Sequence, residues 1–133
     1  MQGGDLRASA IAVLESLVDV ERVDEFLDHL DEDARWTIPG SWPRISGVKD
    51  RTAIEGFMRR VFPAGFPEGL EVDIHAVHVD EPTVAIEFIG RARTSKHRDY
   101  VNSYCLVFVF REGKVLEIRE YMDSLYADGV LHK

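Results

Sequence analysis

From Leu70 onward, apolar and polar residues alternate with a period of two, the signature of half-buried β-strands. The alternation predicts four successive strands, Leu70–Val79, Thr83–Thr94, Asp99–Phe110 and Lys114–Asp123. Turn chemistry separates them at Asp80-Glu81-Pro82, at Thr94-Ser95-Lys96-His97 and at Arg111-Glu112-Gly113-Lys114. In the last hairpin Tyr100, Asn102, Tyr104, Leu106, Phe108 and Phe110 share one face, and Val101, Ser103, Cys105, Val107 and Val109 share the other. On the returning strand Leu116, Ile118, Glu120 and Met122 oppose Glu117, Arg119, Tyr121 and Asp123. Both faces are rich in apolar groups, so each must be covered or must line a cavity.

Upstream the period changes to that of a helix. Asp5 is a suitable N-cap, and Leu6, Ile11, Leu14, Leu17 and Val18 form an apolar stripe. A shorter helix follows, with Val23, Phe26, Leu27 and Leu30 inward, and the acidic residues Asp28, Asp31, Glu32 and Asp33 read as its solvated end and turn. A short strand, Arg35–Ile38, runs into a Pro- and Gly-punctuated loop at residues 39–47, where an exposed Trp42 suggests a lid or a plug. Asp50 or Thr52 caps a third helix carrying Ala53, Ile54, Phe57, Met58 and Val61, which ends near Phe62-Pro63. Helices followed by an antiparallel meander define an α+β domain, with 1–133 expected to be one unit.

Composition narrows the partners. Apolar residues make up 45% and charged residues 30% of the 133, an ordinary globular balance. The formal net charge of −8, without any basic run, argues against a nucleic-acid partner. No apolar run approaches the roughly 20 residues that cross a bilayer, and Asp5 and Glu15 bracket the Ala-rich N-terminal stretch, unlike a signal peptide. A single cysteine, Cys105, in mid-strand suits a reducing compartment, and a cytoplasmic location is expected. No nucleotide-binding glycine pattern or metal-ligand spacing is present, so no cofactor is expected; His75 and His78, three apart on a strand, are expected on opposite faces.

Three motifs carry a resemblance. They are Trp36-Thr37-Ile38-Pro39-Gly40-Ser41 followed by Gly47 and Arg51–Phe57; Tyr100-Val101-Asn102-Ser103-Tyr104; and Glu112–Val115 leading into Arg119–Asp123. With the order of elements they resemble the nuclear transport factor 2-like superfamily, especially its SnoaL-like and ketosteroid isomerase-like members. The resemblance implies a cone of helices packed in a strongly curved antiparallel sheet, usually a homodimer through the outer sheet face. It also implies that Asn102, Tyr104, Leu106, Glu120 and Met122 line the cavity. The acids of ketosteroid isomerases would fall at Ile38 and near Leu106, so both are missing here. The Asp-Arg-Asp relay of limonene epoxide hydrolases would fall at Ile89, Glu87 and Glu120, and only the last position keeps its acid.

Glu120 is therefore the candidate catalytic acid or base: in an aromatic pocket, desolvation would raise its pKa into a useful range. Asn102 and Tyr104 could hydrogen-bond a ligand oxygen. Glu87 is a candidate second carboxylate, with a Glu87–Arg91 pair as the simpler reading. Trp36, Ile38, Trp42, Phe57, Leu106 and Met122 would form apolar walls. Three classes stay open: a cofactor-independent acid/base enzyme of isomerase, cyclase, dehydratase or epoxide hydrolase type acting on a small apolar metabolite, a non-catalytic binding module for such a molecule, and a protein-interaction domain.

Overall fold

The structure is a computed structural model that describes residues 3–133, with side chains from Leu6 onward. Helix α1 spans Gly3–Leu17, so the cap expected from Asp5 falls outside the described side chains. Helix α2 spans Val23–Asp28. Strand β1 (Leu30–Ile38) and the short β2 (Gly47–Lys49) flank the loop at residues 39–46. Four strands follow the next helical segment: β3 (Glu71–Asp80), β4 (Thr83–Arg93), β5 (Asp99–Arg111) and β6 (Lys114–Met122). All six form one curved, open sheet in the order β2-β1-β6-β5-β4-β3. The meander is antiparallel, whereas β1 runs parallel to β6 and joins the two ends of the chain.

Helices fill the concave side. On α1 the buried stripe includes Leu6, Ala10, Val13, Leu14 and Leu17, one helical face at the expected spacing. It meets Val84, Ile86 and Phe88 of β4, Leu106 and Phe108 of β5, and Ile118 of β6 in a single core. The even-numbered face of β5 points inward, as its alternation requires. On β6 a bulge opposite Val109 and Phe110 turns Val115, rather than Leu116, into the core before Ile118, Glu120 and Met122 resume the inward set.

Three parts of the chain depart from expectation. Leu30 to Ala34 is strand, not helix end and turn; Leu30 pairs with Val115, and Arg111 of β5 clasps Asp31 (2.6 Å) and Asp33 (2.9 Å). That arginine offsets the repulsion between two carboxylates on one strand and the poor strand preference of Asp. The third helix starts at Asp50, whose side chain accepts from Ala53 N, and spans Arg51–Gly56 as α3. It continues as a π-turn, Phe57–Val61, and a final turn, α4 (Phe62–Gly65), instead of stopping at Phe62. The wide turn accommodates Pro63, which has no N–H to give, and leaves Ala53 and Val61 exposed while Ile54, Met58 and Phe62 stay buried. Lastly, helix α5 (Ser124–His132) lies beyond the predicted elements, and Asp123 is its N-cap, accepting from Tyr126 N at 3.0 Å. No described helix is long and apolar enough to cross a membrane.

Candidate functional site

Between the helices and the concave sheet lies a cavity of about 460 Å³, within the range of small-molecule pockets. Its deep wall is made by Trp36 and Ile38 from β1, Leu106 and Tyr104 from β5, Glu120 and Met122 from β6, and Phe88 from β4. The π-turn, α4 and the residue that caps it supply Phe57, Phe62 and Phe66 on the opposite side. It opens where the exposed residues Val61, Ala64, Ser95 and His132 meet.

Glu120 is the one carboxylate in this lining. Its Oε1 accepts a hydrogen bond from the indole Nε1 of Trp36 at 3.0 Å. Trp36 is itself held edge-on between Phe26 (6.2 Å) and Phe57 (5.6 Å), so the donor is fixed by packing. Burial among aromatic rings raises the carboxyl pKa from 4.5 to about 7, against the opposing pull of the Trp36 N–H and of Lys49. Lys49, on β2 opposite Trp36, is half-buried, with its ammonium 4.7 Å from the centre of the Phe57 ring, and burial lowers its pKa. A group that holds a proton at neutral pH yet can release it is suited to acid/base work.

A polar network adjoins Glu120. The amide of Asn102 accepts from Ser103 N at 2.9 Å through Oδ1, which fixes its Nδ2 as the donor to Tyr100 Oη (2.8 Å) and to the Asp123 carbonyl (3.1 Å). Tyr100 Oη in turn lies 2.6 Å from Tyr104 Oη. Desolvation pushes both phenol pKa values up, Tyr104 far above its usual value, so both stay protonated. Either hydroxyl can donate in that contact. Both tyrosines also line the cavity, which brings the network to its wall.

Trp36, Ile38, Phe57, Tyr104, Leu106, Glu120 and Met122 therefore share the cavity. Four expectations need correction. Glu87 is exposed on the convex face of β4 and bonds His78 Nε2 at 2.6 Å; Val84, Ile86 and Phe88 take the inward positions, so Glu87 can neither reach Glu120 nor touch a ligand there. Asn102 is buried but is not in the cavity lining; both of its donors are engaged, and it acts through Tyr100. Trp42 lines the cavity but is only 8% exposed, because its Nε1 donates to Asp128 Oδ1 of α5 at 2.9 Å and its ring meets that of His132 at 5.4 Å. His75 and His78 are both exposed, since a bulge at His75 breaks the alternation, and each faces its own carboxylate, Asp73 (3.5 Å) and Glu87. Among the described residues no cluster of His, Cys, Asp and Glu could hold a metal ion.

The sequence reading missed Lys49, Arg60, Tyr100, Asp128 and His132. Tyr100 was legible from its even position on β5, but the others depend on a three-residue strand, a π-turn and the terminal helix.

A SnoaL-like domain model matches residues 12–118, most of the chain. The chain belongs to the SnoaL-like domain family. The family sits in the nuclear transport factor 2-like superfamily, and solved structures of the same architecture agree. A nuclear transport factor 2-like protein from Anabaena variabilis is 24% identical, with 92% of this chain and 93% of that one covered and a TM-score of 0.78. A putative isomerase from Bacillus subtilis is 16% identical over 99% and 96% of the two chains, at 0.80. A putative SnoaL-like polyketide cyclase from Jannaschia sp. CCS1 is 16% identical over 95% and 93%, at 0.72. At these identities the likeness is one of SnoaL-like fold. No curated protein matches the sequence.

Proposed function

We propose that the cavity binds a small, largely apolar metabolite and that Glu120 exchanges a proton with it, without a cofactor. The observation that carries this reading is a carboxyl with a pKa of about 7, facing an aromatic cavity with an indole N–H on one of its oxygens. As an acid Glu120 would deliver a proton to a ligand oxygen or carbon, and as a carboxylate it would remove one. Tyr104 would donate to the ligand oxygen on which charge develops. Isomerisation, cyclisation, dehydration and epoxide opening all fit this pair. Putative isomerases and a putative polyketide cyclase share the fold, which is consistent with such chemistry.

Binding without chemistry is the second reading. It is favoured by Ile38 and Leu106, apolar residues that line the cavity at the positions where the resemblance would place the acids of ketosteroid isomerases. The first test is common to both: a panel of apolar metabolites should raise the melting temperature, and a panel without effect would remove both. Once a ligand that turns over is found, Glu120→Gln separates the two readings. Catalysis requires turnover to vanish while affinity stays within about tenfold, or 1.4 kcal/mol; unchanged turnover removes Glu120 from the reaction.

A homodimer through the convex face of the sheet belongs to the same proposal. Val101 and Tyr121 are large apolar groups left exposed there, and Cys105, Val107 and Val109 are half-buried beside them. Light scattering that gave the mass of a single 15.1 kDa chain would refute it.

A further inference from the structure

The polar groups of the cavity fall into two sets. Glu120, Tyr100 and Tyr104 lie deep, whereas Arg60, Ser95 and His132 are exposed at the opening, and the lining between the two sets is apolar. Arg60 is the only Lys or Arg among the lining residues. The π-turn places it there, because the widened turn presents Phe57, Arg60 and Val61 together to the cavity.

The charge environment of Arg60 is unusual for this chain. Acidic residues outnumber basic ones 24 to 16, and neighbouring arginines on the same helical segment are taken: Arg59 by Asp24 and Glu55, and Arg51 by Glu55. Arg60 forms no ion pair with a described residue. Its guanidinium instead folds back over Gly56, where an added Cβ would come within 2.6 Å of Nη2. Also in the lining, the Nδ1 of His132 is held by Asp128 at 3.0 Å, which leaves Nε2 as its other polar atom, and Ser95 contributes a hydroxyl. A fork of N–H donors without a carboxylate, at the lip of an apolar cavity, suits a planar anion.

We propose that Arg60 selects ligands with an apolar body and a carboxylate at the end that stays at the opening, the opposite end reaching Glu120 and Tyr104. This names the substrate class for the cavity and rests on the proposal that the cavity binds a small apolar molecule. It excludes fully neutral hydrocarbons as the preferred ligand.

Matched pairs of aromatic carboxylic acids and their methyl esters, built on one to four fused rings, test it. Affinities are read from quenching of the wall tryptophans Trp36 and Trp42. In the native protein the acid of the best pair should bind about tenfold more tightly than its ester, as a charge-assisted hydrogen bond allows. The preference should shrink as salt is added, because the opening is exposed. Arg60→Gln should bring the ratio of acid to ester close to one, and Arg60→Lys, which keeps the charge but not the fork, should retain part of it. Esters that bind as well as acids, or a preference that survives Arg60→Gln, would overturn the anion site and leave the cavity proposal standing. A series in which neither acids nor esters bind would overturn both.

Discussion

Exchange of Glu120 for glutamine should make the protein more stable at neutral and alkaline pH, and the structure gives the size of the gain. Moving the carboxyl from 4.5 to about 7 penalises its ionised form by about 3 kcal/mol, at roughly 1.4 kcal/mol for each pH unit. Below pH 4.5 the folded and unfolded chains both hold the proton, and the site carries no penalty. Between 4.5 and 7 the unfolded chain gives its proton up while the folded one keeps it, so stability falls as pH rises. Above 7 the full penalty applies. Glutamine keeps an oxygen to accept from Trp36 Nε1 and has no proton to lose, so its stability is level across this window. Urea unfolding, followed by tryptophan fluorescence from about pH 5 to pH 8, measures the difference between the two proteins. The variant should gain steadily relative to the native chain and lead by about 3 kcal/mol at the upper end. Difference curves that stay flat would show that Glu120 titrates like a carboxylate in water, and the acid/base proposal would lose its support.

Tyr104→Phe removes the hydroxyl partner of Tyr100 and a hydroxyl in the cavity wall, so affinity for a ligand with a carbonyl oxygen should fall about tenfold; equal affinities by titration would remove Tyr104 from ligand binding. Asp128→Ala cuts the bonds from Trp42, His132 and Lys133, and amide exchange should quicken in α5 and residues 39–46 while the urea midpoint shifts little; unchanged exchange would deny the latch. The Trp42 N–H also holds the Asp128 pKa below its usual 3.8, so the latch is intact above that value and weakens as pH falls through the acid range. Gly69→Ala should destabilise by about 2–4 kcal/mol in thermal melting, because φ is +72° and a Cβ would lie 2.2 Å from the Val18 carbonyl oxygen; a melting temperature within a degree of the native one would refute it.

The meander was legible because its strands alternate apart from two bulges and carry β-branched and aromatic residues; their bounds fall within one residue of those read from the pattern. Glu120 was legible for the same reason, together with the resemblance of the surrounding motif. What failed was decided by partners far along the chain. Asp31, Glu32 and Asp33 look like a turn by composition and become strand only because Val115 pairs with Leu30 and Arg111 supplies the charge. Glu87 was given the wrong face of β4: alternation defines two faces, and the Val84, Ile86 and Phe88 set is the more apolar one. Trp42 reads as exposed from a Pro- and Gly-rich loop, and its burial depends on α5, whose Arg98 contacts to the carbonyls of Val130 and Lys133 have no local signature. A π-turn likewise leaves no mark in an apolar stripe, and so Arg60 was hidden.

Trp36 and Glu120 are 84 residues apart and meet only because β1 lies parallel against β6. The unusual acid is thus a property of the closed chain, absent from either half. A fragment holding the meander but lacking β1 would carry an ordinary carboxylate at position 120, with neither the indole N–H nor the wall that dries it. During folding, the acid acquires its character only once the first strand has docked on the final one. The indole bonded to it makes that moment visible in fluorescence.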